Sequence, residues 1–372
     1  LLSGSTQALG RKFSTKRFWD ECRASKATSI QYVGETLRYL LAAPPQLDPV
    51  TGENLDRKHH VRLAFGNGLR PDIWDRVKER FGIETIAEFY AATESPGAAW
   101  NVSSNDYARG AIGRSGWLHL LLSGSSSALV EVDWATDSPW RDPVTGFCRR
   151  VKPGQPGEML YRLPADDIGQ RFQGYFNNPG ASDAKILRGV FRPGDAWFRS
   201  GDVLRRDADG LTYFSDRIGD TFRWKSENVS TAEVSQAMGL HPAVREANVY
   251  GVELPHHDGR AGCAAVCLDP PVPDEATLRS LAAHVNASLP RYARPLFLRL
   301  VKDVGVGSQT TGTNKQQKQS LRAQGVKPRT KASGGEGSSE EGETDVYWLR
   351  GDSYVPFREK DWRELEGGRV KL

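Results

Sequence analysis

Val61-Arg-Leu-Ala-Phe65 followed by Gly66-Asn67-Gly68-Leu-Arg-Pro71 and then Asp72-Ile-Trp-Asp-Arg-Val-Lys-Glu-Arg-Phe81 is the stretch that decides the fold. A short apolar run bounded by glycines reads as a buried strand, and the amphipathic run opened by a proline reads as a helix over 72–81. The same pattern recurs on either side. Upstream, 15–42 reads as helix, strand, helix around Thr28-Ser-Ile-Gln-Tyr-Val33; downstream, Ile86–Tyr90 is a further strand with Ala91-Ala-Thr93-Glu94 at its carboxyl end. Strands alternating with helices predict an α/β layered domain, whose ligands sit at the carboxyl ends of the strands.

Further along, from about 110 to 216, turn signals such as Asp142-Pro-Val-Thr-Gly146 and Pro153-Gly-Gln-Pro-Gly157 punctuate short strands, which predicts a β-rich part. After Arg217 the pattern returns to α/β, with strands at Val244–Val252 and Ala261–Leu268 and a helix from Asp274 to Leu289. Residues 326–345 are of low complexity and read as a flexible insertion. The expected division is 1–218 for the end of a large domain, 219–325 for a small C-terminal domain, 326–345 for the insertion and 346–372 for a tail.

Composition narrows the function classes. The 372 residues are 38% hydrophobic and 26% charged, as in a soluble globular protein, and 50 basic against 46 acidic residues leave a net charge of +4 with no basic arm for nucleic acid. Cys22, Cys148, Cys263 and Cys267 have neither metal-ligand spacing nor a disulfide framework, which points to a reducing compartment. The start at Leu1, without an initiator Met or a signal segment, reads as a beginning partway through a longer protein.

Three segments carry candidate chemistry. Glu88-Phe-Tyr90-Ala-Ala-Thr93-Glu94 places a hydroxyl beside a carboxylate at a strand end, which suits Mg²⁺ shared with nucleotide phosphates, and Tyr90 offers a ring to a base; a solvated polar loop explains the segment equally well. Trp197-Phe-Arg-Ser-Gly201-Asp202 and Asp216-Arg217-Ile-Gly219-Asp220, continuing to Val229, bring a carboxylate and an arginine able to bind a ribose; singly, each could be a turn with a surface ion pair. The run Gly307-Ser-Gln-Thr-Thr-Gly312-Thr313 imitates a phosphate loop, but no lysine follows its second glycine.

Together these segments resemble the adenylate-forming superfamily, and most of all its fatty acid transport and very-long-chain acyl-CoA synthetase branch of the fungal type. The resemblance rests on 216–233, Phe89–Glu94, Gly66–Asp72 and Leu254–Gly262, and covers most of 12–327 with a tail from Val346. It implies a large layered α/β and β-rich domain followed by a small mobile α/β domain. It implies ATP, Mg²⁺ and coenzyme A as cofactor and co-substrates, a long- or very-long-chain fatty acid as substrate, and acyl-CoA formation through an acyl-adenylate, coupled to uptake. By position, Gly66, Asn67 and Gly68 would lie against the adenine with Tyr90 stacked on it. Thr93 and Glu94 would hold phosphate and Mg²⁺, and Asp202 and Arg217 the ribose. Gly219 would be the hinge, and Lys315 in Thr310-Thr-Gly-Thr-Asn-Lys315-Gln-Gln-Lys318 the mobile adenylation lysine, with Lys318 as the alternative.

Two positions depart from the branch: Ser226 stands where glycine is usual and Asn314 where an aromatic is common. The family's Ser/Thr/Gly-rich phosphate loop ending in lysine does not occur in this sequence, so a truncated remnant that binds nucleotide, lipid or a partner without turnover is the rival expectation. The family also implies peripheral or N-terminally anchored association with peroxisomal, endoplasmic reticulum, lipid droplet or plasma membranes. Val370-Lys371-Leu372 loosely resembles a peroxisomal targeting tail.

Overall fold

The computed structural model describes residues 4–123, 126–301, 318–328, 345–370 and 372. The chain divides into two compact units. The first takes the residues up to Glu131, Arg141–Ser200 and Leu204–Phe214; the second takes Val132–Trp140, Gly201–Val203 and everything from Ser215.

In the first unit, α1 (Phe18–Ala24), β1 (Ser29–Val33), α2 (Thr36–Ala42), β2 (Leu63–Asn67), α3 (Pro71–Phe81), β3 (Thr85–Tyr90) and β4 (Ala99–Ser103) follow in order. The strands form one sheet in the order β1-β2-β3-β4, parallel except for β4. The helix expected over 72–81 is therefore α3. Pro71 occupies its first turn, where no N–H is needed, and Gly82 ends it in the left-handed conformation with its N–H on the Lys78 carbonyl at 2.9 Å. Ile73, Trp74, Val77 and Phe81 recur at helical spacing and bury one face of α3 with Trp19, Leu37 and Leu40.

Charge is buried beside that core. Arg38 of α2 bonds Glu35 at 2.6 Å and Asp72 at 2.8 Å, and Arg70 bonds the other oxygen of Glu35 at 2.9 Å. Burial raises the Glu35 pKa, but Arg70 and then Arg38 outweigh it and hold the carboxyl below its ordinary value. The four side chains lock the start of α3, and the loop leading into it, onto α2.

The β-rich part comprises β5 (Gly113–Arg114), α4 (Trp117–Ser123) and β6 (Ser127–Val130), then the two-stranded ladder β7 (Val132–Asp133) and β8 (Ser138–Pro139) that counts with the second unit. It continues through β9 (Pro156–Leu163), α5 (Pro179–Asp183), β10 (Ile186–Arg188), β11 (Ala196–Arg206) and β12 (Leu211–Arg217). Its sheet runs β5-β12-β11-β9-β6, with β10 on β11. Glu158 of β9, wholly buried, takes a two-pronged bond from Arg199 of β11 at 2.9 and 3.0 Å.

The second unit continues with β13 (Phe222–Trp224), β14 (Glu227–Val229), α6 (Thr231–Gly239), β15 (Val244–Glu253), β16 (Arg260–Leu268), α7 (Glu275–Ser288), β17 (Phe297–Leu300), α8 (Gln319–Gln324), β18 (Val346–Arg350), β19 (Ser353–Pro356) and α9 (Glu359–Glu366). Asp274 caps α7 by accepting the Thr277 N–H at 2.8 Å. Lys225 and Ser226, both at positive φ, form the two-residue turn between β13 and β14, which is why glycine would suit position 226.

The segment set apart by sequence as a tail is built into the fold. Strand β18 pairs with β17 and with β19, completing the sheet β15-β16-β17-β18-β19, and Val346, Trp348, Tyr354 and Phe357 lie in its core. The alternation of buried and half-exposed positions in Val346–Arg350 is that of a strand with one face covered. Of the insertion expected over 326–345, positions 329–344 lie outside the described residues; Val326 is buried and Lys327 sits over the Trp362 ring.

Replacing Arg38 by Ala leaves Glu35 and Asp72 buried without their shared cation. We expect the first unit to lose about 3–5 kcal/mol, read as a lower urea midpoint in equilibrium unfolding. Loss under 1 kcal/mol would show that the network is not what fixes the α2–α3 arrangement.

Candidate functional site

Three parallel strands bring six of the candidate residues to one edge of the first unit's sheet. Gly66 and Asn67 end β2 and Gly68 follows them, while Tyr90, Thr93 and Glu94 lie at and beyond the end of its neighbour β3. The turn after β1 is joined to this edge by the Gly34 N–H, which donates to the Asn67 carbonyl at 2.8 Å.

What holds the edge in shape is a row of paired residues across the sheet. Tyr32 of β1 is level with Gly66, Gly66 with Glu88 of β3, and Glu88 with Asn101 of β4. The Tyr32 ring lies across Gly66, where an added Cβ would meet the ring at 2.7 Å and collide with the Tyr32 carbonyl. Only glycine leaves room for that ring. The Tyr32 hydroxyl then donates to Glu88 Oε2, while Glu88 Oε1 accepts the N–H of Gly68 and the N–H of Leu69, the latter at 3.1 Å. One buried carboxylate thus fixes the backbone of the loop that the family resemblance would place against adenine.

Burial pushes the Glu88 carboxyl up to about 7, against the pull of its donors Tyr32, Gly68 and Leu69. Burial, and then Glu88 itself, drive the Tyr32 phenol well above its ordinary value, so it stays a donor. Sequence reasoning placed Glu88 at the head of a motif but gave it no role, and gave Tyr32 none. The signal available was a tyrosine and a glutamate on strands flanking a glycine-ended strand.

Tyr90 is half-buried and packs on the core of the β-rich part, so its ring is partly structural. Thr93 is exposed. Glu94 is half-buried, with Oε1 accepting from the Tyr175 hydroxyl at 2.9 Å across 81 residues of sequence. Tyr175 was not foreseen; it lines a hollow of about 350 Å³ with Phe172, Gly174 and Asn178. Among the described residues no three acidic, histidine or cysteine side chains gather as a metal cage. Hard oxygen donors from Thr93 and Glu94 fit a Mg²⁺ shared with substrate phosphates, which needs only one or two carboxylates from the protein.

In the second unit, Asp202 and Arg217 face each other as an ion pair at 3.4 Å, the arginine more than half exposed. Their neighbour Asp216 is buried. It accepts the Arg217 N–H at 2.8 Å, the Thr231 N–H at 2.6 Å and the Thr231 hydroxyl at 3.0 Å. Lys318 donates to that same hydroxyl oxygen and pairs with Asp220 at 3.3 Å. Lys318, the alternative adenylation lysine, is therefore engaged in the unit's own structure, and Lys315 lies outside the described residues. Gly219 sits at φ +87° with open space where a side chain would be; the position requires glycine for its backbone and not for room. His256 and His257 bond backbone carbonyls of Glu366 and Pro255, each at 2.8 Å, and His257 also stacks on Trp224.

The Glu88 arrangement carries a pH dependence. Folded, Glu88 keeps its proton up to about pH 7, and unfolded only to its ordinary value near 4.5. Between the two the folded state binds more protons, so this contribution, fully present below 4.5, is lost as pH rises towards 7. In Glu88→Gln, thermal unfolding followed from pH 4.5 to 8 should lose this fall, worth at most about 3 kcal/mol. An unchanged pH profile would contradict the assignment.

A family model described as AMP-binding enzyme matches residues 1–176, and one described as AMP-binding enzyme C-terminal domain matches 233–307. The chain is 43% identical over 371 residues to isopenicillin N epimerase component 1 of Hapsidospora chrysogena, covering 99% of this chain and 58% of that protein. It is 41% identical over 373 residues to the very long-chain fatty acid transport protein of Cochliobolus heterostrophus, at 99% and 54% coverage. To a medium/long-chain-fatty-acid–CoA ligase of Mycobacterium tuberculosis it is 40% identical over 369 residues, at 99% and 55%. It thus spans a little over half the length of these curated relatives. Among solved structures, the anthranilate CoA ligase AuaEII in complex with anthranoyl-AMP superposes with a TM-score of 0.61 at 22% identity, over 83% of this chain and 51% of that one, a likeness of fold. The chain belongs to the family of AMP-binding, adenylate-forming enzymes, and its likeness within that family runs to the fatty acid transport and very-long-chain acyl-CoA synthetase branch.

Proposed function

We propose that this chain is part of an ATP-dependent long- or very-long-chain fatty acyl-CoA synthetase, a fatty acid–CoA ligase releasing AMP, coupled to fatty acid uptake. The observation that carries the reading is identity of about 40% along 99% of the chain to a fatty acid transport protein and a fatty-acid–CoA ligase, motifs included. The geometry supports it through the loop held by Glu88, the carboxylate of Glu94 and the Asp202–Arg217 pair.

In this reading the fatty acid carboxylate attacks the α-phosphate of ATP, pyrophosphate leaves, and the CoA thiol then takes the acyl group from the acyl-adenylate, releasing AMP. Gly66, Asn67 and Gly68 present a fixed backbone to the adenine, and Tyr90 gives one ring face. Thr93 and Glu94 supply oxygen ligands, with Tyr175 aiming the carboxylate; Mg²⁺ held there would neutralise phosphate charge. Asp202 accepts ribose hydroxyls while Arg217 neutralises it from the solvent side. Lys315 brings a cation to the charge that develops on the α-phosphate, and Gly219 is the hinge between the two half-reactions. No helix among the described residues is long and apolar enough to cross a membrane. Membrane association, as in the fatty acid transport branch, is on this reading peripheral or due to other parts of a longer protein.

A relative named as an isopenicillin N epimerase component favours a second reading, in which the acid activated is isopenicillin N or a similar carboxylic acid.

The test uses the longer natural protein that contains this sequence. With ATP and CoA it should form acyl-CoA and AMP from fatty acids of sixteen or more carbons, roughly, and Lys315→Ala should slow fatty-acid-dependent pyrophosphate exchange by about 100- to 1,000-fold. Turnover of acetate or isopenicillin N without turnover of long chains would overturn the substrate assignment.

A further inference from the structure

The peptide groups around Gly219 are held by a side chain to which no role has been given. Arg322, on α8, donates from Nη1 to the Gly219 carbonyl at 2.8 Å and from Nη2 to the Asp220 carbonyl at 2.9 Å, with the Asp220 carboxylate at 3.4 Å. Lys318, at the start of the same helix, pairs with the other Asp220 oxygen at 3.3 Å and bonds the Thr231 hydroxyl. The helix itself is anchored in the second unit. Leu321 and Val326 are buried in its core, and Arg299 of β17 donates to the Gly325 carbonyl at 2.7 Å, just past the helix end. One end of this link is therefore fixed in the sheet, and the other grips two successive carbonyls of a turn.

We propose that Arg322, assisted by Lys318, is a latch on the Gly219–Asp220 turn: a positioning residue that holds this backbone in one conformation and must let go for it to change. The inference rests on the reading of Gly219 as a hinge and adds what restrains it. Rotation of φ or ψ at Gly219 and Asp220 swings both carbonyls, so a forked cation bonded to both resists it in a way that a single bond does not. Glycine at 219 meets no steric obstacle within 4 Å. Among the described residues, the other backbone bonds at this turn are those of the Asp220 and Thr221 N–H groups to the Arg217 carbonyl, at 3.0 and 3.3 Å, and of the Ile218 N–H to the Gly201 carbonyl at 2.9 Å.

The experiment compares wild type with Arg322→Ala and Arg322→Lys in the whole chain. Hydrogen exchange reports the turn. Spin-label distances between Val50→Cys and Val272→Cys, which are 91% and 82% exposed, report motion, the four native cysteines being buried. In Arg322→Ala, exchange at the Asp220 and Thr221 amides should rise about 10- to 100-fold, the effect of losing charge-assisted bonds, while β15–β17 exchange as in wild type, and the distance distribution should broaden. Arg322→Lys keeps the charge but loses the rigid planar fork, so it should give the same pattern at smaller amplitude and keeps the inference testable if the alanine variant does not fold. Unchanged exchange at the turn, or a rise shared by the whole sheet, would overturn the latch. Faster exchange with a wild-type distance distribution would instead locate the failure in the hinge reading, since the turn would then loosen without motion.

Discussion

A buried carboxylate sharing one strand row with a tyrosine and a glycine is the constraint on which the carboxyl end of the first unit's sheet depends. Glu88 is 1% exposed, and in that position a carboxylate with no donors would be untenable. Its three donors come from two sides: the Tyr32 hydroxyl, reaching over Gly66, and the amides of Gly68 and Leu69 at the end of β2. Each element explains another. Gly66 is glycine because the ring crosses it, the ring crosses it to reach Glu88, and Glu88 is buried there to fix the loop. The buried network of Glu35, Arg38, Arg70 and Asp72 then fixes the other end of that loop at the first turn of α3. A loop held at both ends is pre-organised, so a ligand of the kind proposed would not have to order it.

The second unit uses the same device with other residues. Asp216 is buried between Arg217 and Thr231, and a chain of bonds leads from it through the Thr231 hydroxyl to Lys318 and on to Asp220. The result fixes the residues on either side of Gly219 while leaving Gly219 itself unobstructed. Arg217 can then present its side chain to Asp202 and to solvent because its backbone is already held by Asp216.

Local signals in the sequence were enough for the α/β alternation. The amphipathic spacing of Ile73, Trp74, Val77 and Phe81, with Pro71 and Gly82 at the ends, marks α3 without reference to the rest of the chain. Asp274 marks the start of α7 in the same way. What could not be read were contacts between distant segments. Glu88 meets Tyr32 across 56 residues and Glu94 meets Tyr175 across 81, and nothing near either glutamate announces its partner. Strands β18 and β19 looked like a tail because the low-complexity run before them ends any local pattern; their place is set by pairing with β17, far upstream. At 226, a sequence departure from glycine turned out to sit in a turn that tolerates serine only at positive φ.

The most direct measurement is hydrogen exchange at the Gly68 and Leu69 amides, with and without AMP. If Glu88 holds the nucleotide loop, both amides are protected in the wild-type chain before nucleotide is added and slow further with AMP, whereas in Glu88→Ala they exchange near the open-chain rate while the interior amides of α3 do not change. Fast exchange of these two amides in the wild-type chain, or protection that survives Glu88→Ala, would contradict it.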